Sequence, residues 1–397
     1  MRTPQPAPVG ERIVAIDVIR GVALAGVLLA NLMFAFRVPV SRGYLPPDET
    51  LGALDRWAEG LVQFAIQGKA ITLFSVLFGV GLAIQLERFS RLGRPRYWLA
   101  RRLLVLLVFG LAHLLLVWNG DILTEYALAG LLVLPLLALP ARVMGTLAVL
   151  LYAFYLVAPA LPFMPEWPDA SVMASELEDG LAIYGGGSYA EIRGYSLHEW
   201  GIFSPIYLSL FTVTPALFLA GVLLWRTGVL QQPGAQRDRL GAVAIVGVLA
   251  GAMLTALGLR EGGTSGAMLG EFIAAGVAPA VLALGYGAAL LLAVDRGLIA
   301  PVWRGFAAAG RMAFTNYLVQ SLVFTTLFFG YGAGLIGRVS QATALLLGIV
   351  VYLLQVAFSR WWLARFRFGP FEWIWRSLTY GRAQPMRKPG SDPGFRP

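Results

Sequence analysis

The 397-residue chain contains no cysteine, only two histidines, and 13% charged residues. Without cysteine there is no disulfide, no thiolate nucleophile and no cysteine-based metal site. His113 and His198 are too few for a multi-histidine zinc site, so we expect no bound metal. No glycine-rich phosphate loop of the P-loop type is present, so nothing indicates an ATP-driven pump. Instead, 58% of the residues are hydrophobic and the mean hydropathy is +0.70, which is typical of a polytopic membrane protein.

Hydrophobic runs near or above the roughly 20 residues that a helix needs to cross a bilayer recur along the chain. Ten such runs lie near residues 13–36, 60–86, 98–118, 122–139, 143–160, 204–225, 241–259, 268–294, 306–330 and 341–363. The sequence therefore predicts an all-α membrane helix bundle that forms one domain over residues 1–397. We expect two five-helix halves, 13–160 and 204–383, separated by an extracytoplasmic loop at 161–203. The first run is too long for a removed signal peptide, so we expect it to remain as the first span.

The distribution of arginine predicts the orientation, because short basic loops stay in the cytoplasm. Six arginines lie in the connection between the second and third runs: Arg88, Arg91, Arg94, Arg96, Arg101 and Arg102. By alternation both termini are cytoplasmic, and the acidic segment 161–203 faces outward. The net charge of +9 thus reflects topology. We expect the lipid bilayer as a partner and no nucleic acid, since no recognition module accompanies the charge.

The first span, IDVIRGVALAGVLLAN, carries a polar stripe on an otherwise apolar helix. At about 100° per residue, Asp17, Arg20 and Asn31 fall within about 60° of one another. A charged side chain at the centre of a membrane helix costs roughly 2.5–3.5 kcal/mol. The spacing predicts a structural ion pair between Asp17 and Arg20. Arg20 and Asn31 are also candidate ligand-binding residues, although Asn31 could equally hydrogen-bond a neighbouring helix.

The third span carries Arg102 at its inner end and His113 eleven residues later on the same face, about 16 Å away. Imidazole transfers protons near neutral pH and becomes more basic beside a carboxylate. Asp121 begins the next span after the tight turn WNGD, and Glu125 follows one turn later, so either could approach His113. The sequence predicts a catalytic histidine supported by Asp121 or Glu125. A histidine bonded to a neighbouring helix without chemistry is the alternative.

Other polar residues in the spans are weaker candidates for substrate or donor binding. Arg101 and Arg102 match the charge of a phosphate-bearing donor. Lys69 lies near the outer end of the second span and could instead extend to the membrane interface. Asn316 and Gln320 lie one turn apart in the ninth span, where helix packing explains them equally well. His198, in the outer segment, is assigned no role.

The motifs taken together resemble a known family. Their order is IDVIRG, LFSVLFGVG, AHLLLVWNGDILTEYALAG, GRMAFTNYLVQS and FGPFEWIWRSLTYG. This order is similar to that of the bacterial YeiB-like membrane proteins known as domain of unknown function 418, from about residue 12 to 383. These proteins in turn resemble transmembrane acyltransferases, including acyltransferase family three and heparan-alpha-glucosaminide N-acetyltransferase.

The resemblance implies a ten-helix bundle in a bacterial inner membrane that moves an acyl group across it. Family-three enzymes carry a first-helix arginine followed eleven residues later by a catalytic histidine; Arg20 matches the arginine, whereas Asn31 stands in place of the histidine. The implied donor is a cytoplasmic acyl-coenzyme A, with no tightly bound cofactor. The acceptor would be a hydroxyl or amine of an envelope glycan or small molecule. A transporter of a small polar or acidic solute and a non-catalytic scaffold remain the alternatives.

Overall fold

The structure is a computed structural model that describes residues 13–158, 161, 168–261, 270 and 273–388. These residues form helices without a β-strand, so the predicted all-α membrane bundle is confirmed. The α-helices are α1 (Val14–Asn31), α2 (Ala53–Ala65), α3 (Lys69–Ser90), α4 (Pro95–Leu116), α5 (Leu123–Leu136), α6 (Ala141–Val157), α7 (Ala170–Gly186), α8 (Tyr189–Ile202), α9 (Ser204–Arg226), α10 (Arg237–Glu261), α11 (Ala278–Asp295), α12 (Ala300–Arg311), α13 (Ala313–Phe328), α14 (Gln341–Arg365) and α15 (Pro370–Tyr380).

Six helical segments of the described chain are long and apolar enough to cross a membrane. They are Val14–Phe36, Ala53–Ser90, Pro95–Leu116, Pro233–Leu259, Ala278–Asp295 and Gln341–Arg365. Three shorter apolar helices cover Leu123–Leu136, Ala141–Val157 and Phe211–Arg226, where we predicted spans. The start of the predicted span 268–294 lies mostly outside the described residues.

Two predicted spans are divided in the structure. The second, 60–86, is broken at Gly68, between α2 and α3. The φ of Gly68 is +75°, a value that favours glycine and that is incompatible with a continuous α-helix. The ninth, 306–330, is broken at Met312, where φ and ψ of −112° and 28° separate α12 from α13. Hydropathy over a whole span does not detect such breaks, because a predominantly apolar run continues on each side of them.

The outer segment, which we expected to be a loop, folds over residues 170–202 into the helices α7 and α8. Asp169 caps the first helix by accepting hydrogen bonds from the backbone N–H of Ser171 and Val172. Ser188 and Glu191 form a capping box at the start of the second. These helices were not predicted because the polar, acidic composition of the segment hid the two capping signals.

Glycines allow the close crossing of the buried helices. A Cβ on Gly79 of α3 would overlap the carbonyl oxygen of Phe218, and a Cβ on Gly221 of α9 would overlap the backbone of α3. The helices α1 and α12 meet in the same way at Gly21 and Gly310. Small residues at such contacts let membrane helices pack backbone to backbone.

Gly79→Ala should therefore destabilise the bundle, whereas Gly81→Ala in the same helix should not. The added methyl group at position 79 overlaps a backbone carbonyl that cannot move away without shifting α9, while nothing lies within 4 Å of a Cβ at position 81. Overpacking of this kind costs about 1–3 kcal/mol. Thermal unfolding of the two purified variants in the same detergent measures the difference. Equal melting temperatures would contradict the proposed contact.

The orientation of the bundle is a prediction that reporter fusions can check. Fusions after Arg94 and at the carboxyl end should report the cytoplasm, because the basic connections are retained there. Fusions within residues 166–200 should report the outside. An outward signal at Arg94 would reverse the assignment.

Candidate functional site

The candidate site is built on the short turn between α4 and α5. The first helix of this pair ends where the backbone N–H groups of Val117 and Trp118 both donate to the carbonyl oxygen of His113, each at 2.9 Å. The chain then reverses through Asn119 and Gly120 and begins α5 at Leu123. This reversal returns Asp121 to the side of α4 that carries His113.

His113 and Asp121 form a buried pair. Nδ1 of the imidazole lies 2.8 Å from Oδ1 of the carboxylate, and the side chains are 2% and 0% exposed. The second carboxylate oxygen accepts the backbone N–H of Thr124 at 2.7 Å, which fixes its orientation. Since a carboxylate only accepts, the pairing selects the tautomer of the neutral imidazole that carries its proton on Nδ1 and a lone pair on Nε2.

Nε2 of His113 is buried and has no hydrogen-bond partner among the described residues. Aromatic rings surround the imidazole: Tyr317 lies 5.3 Å and Trp118 6.5 Å away between ring centroids. The tryptophan is itself stacked on Phe36 at 4.1 Å. An oriented imidazole with an available lone pair in apolar surroundings is able to accept a proton from a bound hydroxyl or amine.

Glu125, the other carboxylate predicted beside the histidine, faces a different helix. It accepts a hydrogen bond from the hydroxyl of Thr214 on α9. The next residue, Tyr126, shares a hydrogen bond of 2.6 Å with Ser75 on α3. Of the two alternatives left open by the sequence, the geometry thus pairs Asp121 with His113. The catalytic roles of all three residues stay predictions.

The arginines predicted to hold the donor lie at the other end of α4, against α15. The guanidinium of Arg102 is 3.5 Å from the ring centroid of Trp375, whose indole N–H donates to the Arg102 carbonyl at 2.9 Å. Arg101 donates to the carbonyl of Leu378 at 3.0 Å. Three further arginines act electrostatically on Arg102, namely Arg20, Arg88 and Arg376. By helix rise, this basic cluster is about 16 Å from His113.

The polar stripe of the first helix is present as predicted at its inner end. Arg20 donates to Asp17 at 3.2 Å, and their side chains are 27% and 7% exposed, so the ion pair is confirmed. Asn31, half-buried, is the last residue of α1, where the helix continues as a π-helix over Leu32–Phe36. The π-helix positions Phe36, which stacks on Trp118 of the candidate site.

Lys69 and His198 differ in burial. Lys69 begins α3, is 4% exposed, and donates to the carbonyl of Gln63 at 3.1 Å. The Lys69 side chain is buried in the bundle and does not extend to the membrane interface. His198, to which we assigned no role, has a side chain that is 61% exposed, 3.5 Å from Glu176.

Asn316 and Gln320 link α13 to α14. The amide of Asn316 donates to Ser359 at 3.1 Å, and that of Gln320 donates to Gln355 at 2.8 Å. All four side chains are buried. This is the helix-packing arrangement that the sequence left as an alternative to ligand binding.

A second buried polar cluster lies beside the site and was missed from the sequence. Glu199 of α8 is 1% exposed, and its Oε2 accepts from the hydroxyl of Tyr184 at 2.6 Å and from the amide of Asn119 at 2.7 Å. Burial raises the pKa of the Glu199 carboxyl. Asn119 belongs to the turn that carries Asp121, so α8 is tied directly to the candidate site. Of the residues in this cluster, only Asn119 lies in a motif that the sequence analysis used, the turn WNGD.

Glu372 was also missed, and it joins two of the quoted motifs. Its Oε1 accepts from the backbone N–H of Phe314 at 2.8 Å and of Thr315 at 3.1 Å, and its Oε2 accepts from the Thr315 hydroxyl at 2.6 Å. These N–H groups begin α13 and have no partner within their own helix. The motif FGPFEWIWRSLTYG therefore caps the helix formed by GRMAFTNYLVQS.

The chain is similar to a protein family and to individual proteins of two bacteria. A family model described as "Protein of unknown function (DUF418)" matches residues 224–382. The chain is 33% identical over 420 residues to "Uncharacterized protein YxaH" of Bacillus subtilis (strain 168), covering 98% of this chain and 99% of that protein. It is also 33% identical over 401 residues to "Uncharacterized protein YeiB" of Escherichia coli (strain K12), covering 94% and 98% respectively.

Proposed function

The chain belongs to the DUF418 family of membrane proteins, and on that premise we propose that it is an acyltransferase of the bacterial inner membrane. The observation that carries this proposal is the His113–Asp121 pair, 2.8 Å apart and buried, with Nε2 of the histidine unpartnered among the described residues. A carboxylate that orients an imidazole in this way is the arrangement used for general-base catalysis.

The donor is a cytoplasmic acyl-coenzyme A. Its phosphates bind near Arg101 and Arg102, where guanidinium groups match their charge. The thioester reaches His113 at the far end of α4. The separation of about 16 Å along the helix is close to the length of an extended pantetheine arm. Arg102 is held by its stacking on Trp375, which positions the guanidinium at the junction of α4 and α15.

The acceptor is a hydroxyl or amine on the extracytoplasmic side, belonging to an envelope glycan or a small molecule. Nε2 of His113 takes its proton while the acceptor atom attacks the thioester carbonyl carbon. The carbon–sulfur bond breaks, and the proton passes from His113 to the coenzyme A thiolate. Asp121 stabilises the imidazolium that forms between these two transfers.

Transport of a small polar solute is the second candidate function, favoured by a different observation. Glu125 is half-buried between α5 and α9, where it accepts a hydrogen bond from Thr214. Ionisable groups inside a membrane bundle commonly mark ion or solute pathways. A transporter would use Glu125 and the polar stripes as a path and would need no thioester.

Two assays on the purified protein separate these functions. Acetyl-coenzyme A incubated with detergent-purified protein should release free thiol, measured with a thiol-reactive dye. Reconstituted vesicles should show no accelerated uptake of small acidic solutes. Solute uptake without thiol release would refute the acyltransferase and support the transporter.

A further inference from the structure

Beside the turn between α4 and α5 lie two buried polar atoms, on His113 and Glu199, that like Oγ1 of Thr124 have no hydrogen-bond partner among the described residues. One is Nε2 of His113, which the proposed function uses as the base. The other is Oε1 of Glu199, on a residue that is 1% exposed. Burying an unsatisfied polar atom is costly, so such an atom in a folded protein calls for an explanation, and a ligand that binds it is one.

The other oxygen of the Glu199 carboxyl group, Oε2, has its hydrogen-bond partners. Oε2 of Glu199 accepts from Tyr184 and Asn119, and Tyr184 also shares a hydrogen bond of 3.1 Å with Ser196. Tyr184 is stacked on Phe329 at 4.7 Å, which holds its ring in place. The carboxyl group is thus oriented by rigid neighbours, with one oxygen left to bind something else.

Asn119 connects this carboxyl group to the predicted catalytic residues. Its side chain binds Glu199, while Asp121, two residues later in the same turn, binds His113. Trp118, which precedes it, lies beside the imidazole. The two unpartnered atoms on His113 and Glu199 therefore lie beside one six-residue turn, 117–122, at the end of α4 opposite the basic cluster.

The surroundings indicate which ligand chemistry fits. Burial raises the pKa of the Glu199 carboxyl, the nearby Glu176 raises it further, and the hydrogen bonds from Tyr184 and Asn119 oppose both effects. A neutral carboxyl group both donates and accepts, as a hydroxyl does. An anionic ligand would be repelled by Glu176, and a charged ligand of either sign loses more hydration than a hydroxyl does on entering this buried place.

We propose that Glu199, held by Tyr184 and Asn119, forms the subsite that binds a neutral, hydroxyl-bearing acceptor such as a sugar. This inference rests on the proposed function for the role of the ligand, but the binding itself does not require turnover. Since Glu199 and His113 are both buried, α8 must move away from α4 to admit the acceptor. The hydrogen bond of 2.7 Å from the Tyr189 hydroxyl to the Leu116 carbonyl is one contact that this movement breaks.

Equilibrium dialysis on the full-length protein in nanodiscs tests the subsite with three labelled probes of one ring type. Glucose is neutral, glucosamine is cationic and glucuronate is anionic. The wild type should bind glucose more tightly than the other two. Glu199→Gln should weaken glucose binding about tenfold, since the fixed amide cannot both donate and accept at the free position. Tyr184→Phe, which loses the donor that orients the carboxyl group, should weaken it by a smaller factor.

Glu191→Gln is the matched control, because Glu191 lies on the same helix but is exposed. It should leave the glucose affinity unchanged. Absence of glucose binding, a preference for glucosamine or glucuronate, or equal affinities in wild type and Glu199→Gln would each overturn the subsite. His113→Ala should bind glucose as the wild type does. A wild-type protein that binds glucose but releases no thiol from acetyl-coenzyme A would refute the proposed function and leave the subsite standing.

Discussion

Replacing His113 by alanine should lower the rate of thiol release from acetyl-coenzyme A by a factor of about 10²–10⁴, the usual contribution of a general base. The fold should persist, because His113 makes one side-chain hydrogen bond, to Asp121, among those described for it. Monodisperse elution in detergent is the measure of folding. Initial rates at saturating donor give the factor directly.

The second histidine supplies the control for this prediction. His198 is largely exposed and lies on α8, so His198→Ala should keep the full rate. The rate of thiol release by Asp121→Asn should lie between those of His113→Ala and His198→Ala. The amide keeps the imidazole in place but does not stabilise its cation. A His113→Ala protein that elutes normally and retains full activity would refute the role of the histidine as base.

Glu372→Ala should be among the most destabilising substitutions outside the bundle core. It removes the acceptor of two backbone N–H groups and one hydroxyl at the start of α13, and each donor left unsatisfied costs about 1–3 kcal/mol. We expect a loss of roughly 3 kcal/mol or more, because water reaches this junction of α13 and α15 poorly. Thermal unfolding in detergent, followed by helical circular dichroism, measures it.

Two variants make this prediction specific. Glu372→Gln keeps one carbonyl oxygen as an acceptor and should lose less stability than the alanine variant. Glu191→Ala removes an exposed local cap on α8 and should cost only about 1 kcal/mol. If Glu372→Ala unfolds at the same temperature as Glu191→Ala, the cap does not link the two motifs as described.

The sequence predicts the helical membrane bundle well because apolar composition and helix length are local properties. The breaks at Gly68 and Met312 depend instead on how neighbouring helices pack, so periodicity runs through both. The outer helices α7 and α8 were overlooked because polar helices lack the apolar runs by which spans are recognised. Their capping residues, Asp169 and Ser188, were the available local signals.

One part of the candidate site could likewise be predicted from the sequence, and another part could not. His113 and Asp121 were predicted to be neighbours because a tight turn brings residues eight apart together, and the structure places them 2.8 Å apart. Choosing Asp121 over Glu125 required the position of α9, whose Thr214 binds Glu125. Glu199 reaches Asn119 across 80 residues of sequence, a distance at which spacing carries no information.

The central claim, transfer of an acyl group across the membrane, is tested most directly in inverted membrane vesicles that contain the protein and its native acceptors. Acetyl-coenzyme A labelled in the acetyl group is added outside, on the side that carries Arg102. The account predicts that labelled acetyl appears on material inside the vesicles while free coenzyme A accumulates outside, and that vesicles with His113→Ala show neither. Label that enters only as intact acetyl-coenzyme A, or equal transfer by the wild type and His113→Ala, would contradict it.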